Sequence, residues 1–148
     1  MRIAISADEL TGVAAVLPDV VRERGHEPVL HGAYVADEAA DWAWASERAA
    51  RDVADGTADQ AIVACWTGTG ASIAANKVAG IRAALCADAP TATGARRWND
   101  ANVLALSLRT TSEAQLGEIL DAWLADPPGR DEADERNIAH VGEIERAR

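Results

Sequence analysis

The chain has no phenylalanine and one tyrosine, yet it carries five tryptophans. Trp123 falls in the helical pattern EAQLGEILDAWLAD and reads as core. Trp42, Trp44, Trp66 and Trp98 fall in or beside expected loops, where two or more would wall a pocket or a subunit interface. Cysteine is scarce: Cys65 and Cys86 each end an apolar run. Two thiols exclude a disulfide scaffold, and with three scattered histidines they make a poor metal site, so no metal is expected. Positive charge is scarce as well. Fourteen Lys and Arg against 24 Asp and Glu leave a net charge of -10, which argues against a nucleic-acid backbone or an anionic membrane as partner. No window resembles a signal peptide or a spanning helix, so the expected compartment is the cytoplasm. At 148 residues the expectation is a single domain, 1–148, large enough for a hydrophobic core.

The informative segment is Ala61 to Lys77, AIVACWTGTGASIAANK. A buried-looking strand ends in Cys65. The chain then passes Trp66, Thr67, Gly68, Thr69, Gly70 and Ala71 before a helical pattern. A thiol and a hydroxyl therefore stand beside backbone N–H groups at a helix N-terminus, a junction suited to a developing oxyanion or a bound anion. The bland alternative is a glycine-rich strand-to-helix turn. No G-x-G-x-x-G opens the turn and no Lys follows its last Gly, so a nucleotide cofactor is not indicated.

Residues 2–6 read as a strand, Leu10 to Gly25 as a helix containing Pro18, and Glu27 to Leu30 as a second strand. A loop with Tyr34, Asp41 and Trp42 precedes a helix from Trp44 to Ala54, closed by Gly56. Gln60 to Cys65 is the third strand, Ser72 to Val78 a helix, and Ile81 to Cys86 the fourth strand. Pro90 to Trp98 reads as helix, Asn102 to Ser107 as the fifth strand, and Ser112 to Ala125 as a helix capped by Ser112. Pro127-Pro128-Gly129 breaks the chain before a charged terminal helix, 130–148. Its modest stripe of Ile138, Val141 and Ile144 either covers its own sheet or meets a partner subunit. Five apolar runs, each followed by a helix, predict a Rossmann-like three-layer α/β/α sandwich around a five-stranded parallel sheet. Ligands of such sheets sit beyond the carboxyl ends of the strands. Asp8, Cys65, Ala87–Asp88 and Ser107–Arg109 all lie on that edge.

These residues carry a resemblance. The strand into Asp8 and Gly12, Asp41, Cys65, Thr67-Gly68, Gly70, Ser72 with IAANKVAGIRAALC, Asn99-Asp100-Ala101-Asn102-Val103-Leu104 and Arg109 resemble the ribose-5-phosphate isomerase type B and galactose-6-phosphate isomerase family nearly end to end. The resemblance implies aldose–ketose interconversion through a cis-enediolate, without metal or nucleotide cofactor. It also implies a homodimer or dimer of dimers with sites at the subunit interface. Cys65 would be the base, Thr67 would assist at the sugar oxygens, and the amides from Gly68 through Thr69, Gly70 and Ala71 to Ser72 would hold the enediolate. Free cysteine titrates near 8.5, and a helix N-terminus or a nearby cation favours its thiolate, which makes a workable base. Cys86, inside IRAALC, reads as structural.

The departures fall where a phosphorylated substrate would be held. Glu9 stands where the family usually has a phosphate-binding histidine, and a carboxylate repels a phosphate dianion. Ala133 and Asn137 stand at the positions of two phosphate arginines, although Arg130 or Arg136 could replace one in a shifted register. Trp98 replaces the ring-opening histidine, and indole is no base. Ring opening then falls to Asp8 or Glu9, or the substrate is already open-chain. Trp66 and Trp42 replace a glycine and a tyrosine. The expected substrate is a sugar or sugar-like hydroxycarbonyl that need not carry phosphate. Thr67 and Asn99 would orient its hydroxyls, and Glu9, Asp41, Trp42, Trp66, Trp98 and Arg109 would shape the rest of the site. The alternatives are a sugar-phosphate isomerase with relocated anion ligands and a non-catalytic small-molecule-binding homologue.

Overall fold

A computed structural model describes residues 1–127 and 129–147. Its centre is a parallel sheet of β1 (Arg2–Ala7), β2 (Glu27–Gly32), β3 (Gln60–Cys65), β4 (Ala83–Leu85) and β5 (Val103–Ser107). The spatial order is β2-β1-β3-β5-β4. β3 and β5 are buried along their whole length, as their unbroken apolar runs require for strands covered on both faces. In register, Ala7 pairs with Ala64 and Cys65 with Ser107.

The helices are α1 (Leu17–Glu23), α2 (Trp42–Ala54), α3 (Thr69–Ala75), α4 (Ala89–Asn99), α5 (Glu113–Leu124) and α6 (Glu132–Arg146). One face of the sheet packs Ile3, Ile5, Ile62, Leu104 and Leu106 against Leu17, Leu116, Leu120 and Trp123. The other face is built mostly from alanine: Ala4, Ala61 and Ala105 with Ala49 and Ala50 of α2 and Ala71 and Ala75 of α3. Small side chains on both sides let α2 and α3 lie close to the sheet. Cys65 belongs to this layer, so its side chain points towards α3.

Several boundaries differ from the sequence reading. The helix expected from Leu10 is a 3-10 turn at Gly12–Ala15 followed by α1, because Pro18 has no N–H and is tolerated only in a first turn. α2 begins at Trp42 rather than Trp44. α3 begins at Thr69 rather than Ser72, since Gly68 at φ 77° turns the chain into the helix directly. A Cβ on Gly68 would stand 2.9 Å from the Leu106 carbonyl oxygen, so glycine is required there twice over. β4 is only three residues long because the Asn102 side chain takes the Arg82 N–H at 2.8 Å in place of a strand neighbour. Ser112 caps α5 through a full capping box, as expected.

The break at Pro127-Pro128-Gly129 falls partly on Pro128, and the terminal helix was expected to reach Arg148; both residues lie outside the described ones. α6 lies against α4, and Glu145 accepts the Gly80 N–H at 2.8 Å. None of its described residues is buried, and Val141 and Ile144 are about half exposed, so it does not cover the sheet as a core helix. No helix among the described residues is long and apolar enough to cross a membrane.

Candidate functional site

The strand order locates the site. From β1 the chain moves outward to β2, then returns across β1 to β3. The connections diverge at the carboxyl ends of β1 and β3, which opens the crevice where such sheets take ligands. β1 delivers Asp8 and Glu9 to one side, and β3 delivers Cys65, Trp66 and Thr67 to the other. The start of α2 roofs the gap. A Cβ on Gly70 would stand 2.9 Å from the Trp42 ring, so this glycine is what lets the indole lie on the start of α3.

A hollow of about 340 Å³ is lined by Asp8, Trp42, Cys65, Trp66, Thr67, Thr69 and Gly70. An adjoining one of about 360 Å³ adds Glu9, Ala40 and Asp41 and shares Asp8 and Trp42. Cys65 is 4% exposed, and its sulfur accepts the Ala71 N–H at 3.4 Å. The Thr67 and Thr69 hydroxyls lie 2.7 Å apart. The Trp66 carbonyl takes the Arg109 N–H at 2.9 Å and the Ser107 hydroxyl at 3.0 Å, which pins the loop to the end of β5.

The loop amides are not all available to a ligand. Gly68 N–H donates to the Cys65 carbonyl, Ser72 N–H to the Gly68 carbonyl, and Ala71 N–H to the sulfur. Thr69 and Gly70 N–H have no partner among the described residues. The expected donor set from Gly68 to Ser72 thus narrows to its middle, because the ends close the turn.

The hollows are acidic. Neither is lined by a Lys, Arg or His. Burial, the largest effect, pushes the Asp8 carboxyl above its ordinary value, and the charges of Glu9 and Asp41 push the same way. The Asp8 and Glu9 N–H groups pull against them. Asp8 Oδ1 is buried with no partner among the described residues. Asp41 occupies the cap position of α2, yet its carboxylate makes no capping hydrogen bond. Among the described residues no three His, Cys, Asp or Glu side chains are placed to hold a metal ion.

Trp98 and Asn99 do not reach this crevice. They line hollows beside β4 and α6, of about 290 and 540 Å³, that share no residue with the Cys65 hollows. Because β5 inserts between β3 and β4, the β4–α4 connection lies at the far edge of the sheet. Arg109 lines neither Cys65 hollow. Its backbone braces Trp66, while its exposed side chain has no ion-pair partner among the described residues.

The suggested substitute arginines are committed elsewhere. Arg130 pairs with Asp100 and donates to the Arg96 and Arg97 carbonyls at 3.2 and 2.9 Å, strapping the terminal segment to the end of α4. Arg136 pairs with Glu132 at 3.3 Å on an exposed face. Asn137 donates to the Ala133 carbonyl within its own helix. Cys86 is 1% exposed and burial, the larger cause, together with Asp88 pushes its thiol up to about 11, in keeping with a structural role. Ala40, which lines the acidic hollow, carried no chemical signal in the sequence.

The chain matches the family described as Ribose/Galactose Isomerase over residues 3–141. It is 42% identical over 102 residues to ribose-5-phosphate isomerase B of Escherichia coli strain K12, spanning 69% of this chain and 68% of that protein. It is 34% identical over 125 residues to galactose-6-phosphate isomerase subunit LacB of Clostridium acetobutylicum, spanning 84% and 72%. Its fold is similar to that of ribose-5-phosphate isomerase B from Clostridium thermocellum, with a TM-score of 0.89, 34% identity and 99% of both chains covered.

Proposed function

The chain belongs to the ribose/galactose isomerase family and is an aldose–ketose isomerase; from that premise we propose that Cys65 is its proton-transfer base and that its substrate carries no phosphate. The observation that carries this reading is a near-buried sulfur at the floor of an acidic hollow, with an α3 N–H directed at it. The thiolate takes the proton from C2 of the open-chain aldose. The C–H electron pair becomes the C1–C2 double bond, and the carbonyl pair moves onto O1. Return of the proton to C1, with O2 passing its own proton to O1, gives the ketose. The Thr67 and Thr69 hydroxyls, 2.7 Å apart, would relay that proton between the two oxygens. The Thr69 and Gly70 N–H groups would meet the enediolate charge. Asp8, whose carboxyl is pushed up, would exchange the proton that opens a ring.

The Glu9 and Asp41 carboxylates in the hollow lining support a neutral distal end. A phosphate dianion beside Glu9 and Asp41 would face repulsion without the charged hydrogen bonds, worth about 1.5–3 kcal/mol each, that hold such groups. One observation favours a second reading: the exposed Arg109 side chain just beyond β5, without an ion-pair partner among the described residues, offers a relocated anion contact, which would suit a sugar phosphate. In either reading Trp98 and Asn99 join the site from a second copy of the chain, since within one chain they line separate hollows.

Steady-state isomerisation of ribose 5-phosphate and of D-ribose, with Cys65→Ala as control, tests the proposal. The expected result is higher kcat/KM for the free sugar and no turnover by the variant. Strong preference for the phosphorylated sugar would reject the neutral substrate, and full turnover by Cys65→Ala would reject the base.

A further inference from the structure

We propose that His31 is a positioning residue for the Cys65 hollow, acting as a charged bridge that fixes the segment 33–41 and hence the Asp41–Trp42 wall. The inference rests on the reading of that hollow as the isomerase site.

His31 is the next-to-last residue of β2, on the edge of the sheet and away from the sulfur. Its side chain is 14% exposed. Nδ1 lies 3.3 Å from Glu38 Oε1, and Nε2 lies 2.8 Å from Asp52 Oδ2. A neutral imidazole has one N–H and would turn a lone pair towards one of these carboxylates. Only the imidazolium donates to both. The bridge therefore ties the loop, through Glu38, to α2, through Asp52, with β2 as its anchor.

Further contacts converge on the same loop. Glu38 Oε2 accepts the Gly32 N–H at 2.8 Å, and Arg48 of α2 stands 3.5 Å from the same oxygen. Arg48 also donates to the Ala39 carbonyl at 3.2 Å. Burial alone would push the Glu38 carboxyl up, but Gly32, His31 and Arg48 together hold it below its ordinary value. The next three residues after Ala39 are Ala40, Asp41 and Trp42, all of which line the acidic hollow. Three residues span at most about 10 Å of chain, so a loop held at Glu38 and Ala39 leaves the wall little freedom. Without the bridge, two carboxylates would share a part-buried space with Arg48 as the one remaining cation of the cluster. Their repulsion would drive the loop outward.

Alkylation of Cys65 by iodoacetamide reads the hollow directly and needs no substrate. Cys86, buried in the opposite layer, is the internal control. In His31→Leu, Cys65 alkylation should rise about tenfold, the scale expected when a locally opening segment loses charged hydrogen bonds. Cys86 should be unchanged, and amides of 33–41 should exchange faster. His31→Arg, which keeps charge and donors, should restore the wild-type rate. An unchanged Cys65 rate, equal acceleration of both thiols, or no rescue by arginine would overturn the proposal. Should His31→Leu fail to fold, Glu38→Gln in the intact protein is judged by the same two thiol rates. Alkylation is independent of turnover, so this result can fail while Cys65 remains the base, and can succeed while it is not.

Discussion

Gly68 and Gly70 stand two residues apart in the loop, and the structure assigns them opposite sensitivities to an added methyl group. Gly68 sits at φ 77°. An L-residue in that conformation costs about 1–2 kcal/mol. Its Cβ would also lie 2.9 Å from both the Leu106 carbonyl carbon and oxygen, and 2.5 Å from Leu85 Cδ1. Leu85 is 39% exposed and can turn away. Leu106 cannot, because β5 is held between β3 and β4. Overpacking against fixed backbone adds about 1–3 kcal/mol. Gly68→Ala should thus destabilise the fold by about 3 kcal/mol, which for a chain of this length lowers Tm by roughly 6–12 °C. Gly70 lies in the first turn of α3 without positive φ, and the atoms its Cβ would meet belong to the 45% exposed Trp42. Alanine there gains about 0.5–1 kcal/mol of helix propensity and displaces a movable ring. Gly70→Ala should hold Tm within about 2 °C while changing Cys65 alkylation. Differential scanning calorimetry of the two variants is the assay. Equal Tm values for Gly68→Ala and wild type would refute the reasoning, as would a Gly70→Ala variant that melts as early as Gly68→Ala.

Asp8 should cost the protein stability at neutral pH. Its carboxyl is raised above the ordinary 3.8 on folding, so its contribution is intact below that value and is lost as pH rises through the folded value. Asp8→Asn should therefore raise Tm at pH 7, with the gain vanishing below about pH 3.8 and activity falling; a variant less stable than wild type at pH 7 would contradict this. Assembly is expected from the separation of Trp98 and Asn99 from Cys65. Light scattering at micromolar concentration should give at least twice the 15.6 kDa chain mass, and a monomer throughout would remove the shared site.

The strands with unbroken apolar runs were the legible part of the fold. Gln60–Cys65 was read to the residue because β3 is central and turn residues flank it. The apolar pattern of Ile81 to Cys86 makes β4 twice its observed length because side chains interrupt its ladder: Asn102 takes the Arg82 N–H and Asn76 the Ala83 N–H, and no local pattern announces either bond. Asp8, Cys65, Ala87–Asp88 and Ser107–Arg109 could be placed on one sheet edge from the alternation of elements alone. How they divide along that edge could not. Position along the edge depends on strand order, and β5 lying inside β4 is a long-range packing outcome that sends Trp98 and Asn99 to the far side. The commitment of Arg130 to Asp100 was equally hidden, since the pair is 30 residues apart and meets only in three dimensions.

The uneven use of aromatic residues has an optical consequence. With no phenylalanine and a single tyrosine, near-ultraviolet emission belongs almost entirely to indole. Trp123 is fully buried, donates to Gln60 at 2.7 Å and lies under the Arg96 guanidinium, so its emission reports the integrity of the interior. Trp42, Trp44, Trp66 and Trp98 are 45–57% exposed and open to an aqueous quencher such as acrylamide. Trp42 and Trp66 border the hollow above Cys65, whereas Trp98 belongs to the opposite edge. Under the proposed function, a sugar entering the crevice would shield the first two, and a second copy of the chain packed over the β4 edge would shield the last. Single Trp→Phe replacements at these exposed positions would let one fluorimeter follow folding, ligand entry and assembly as three separate signals.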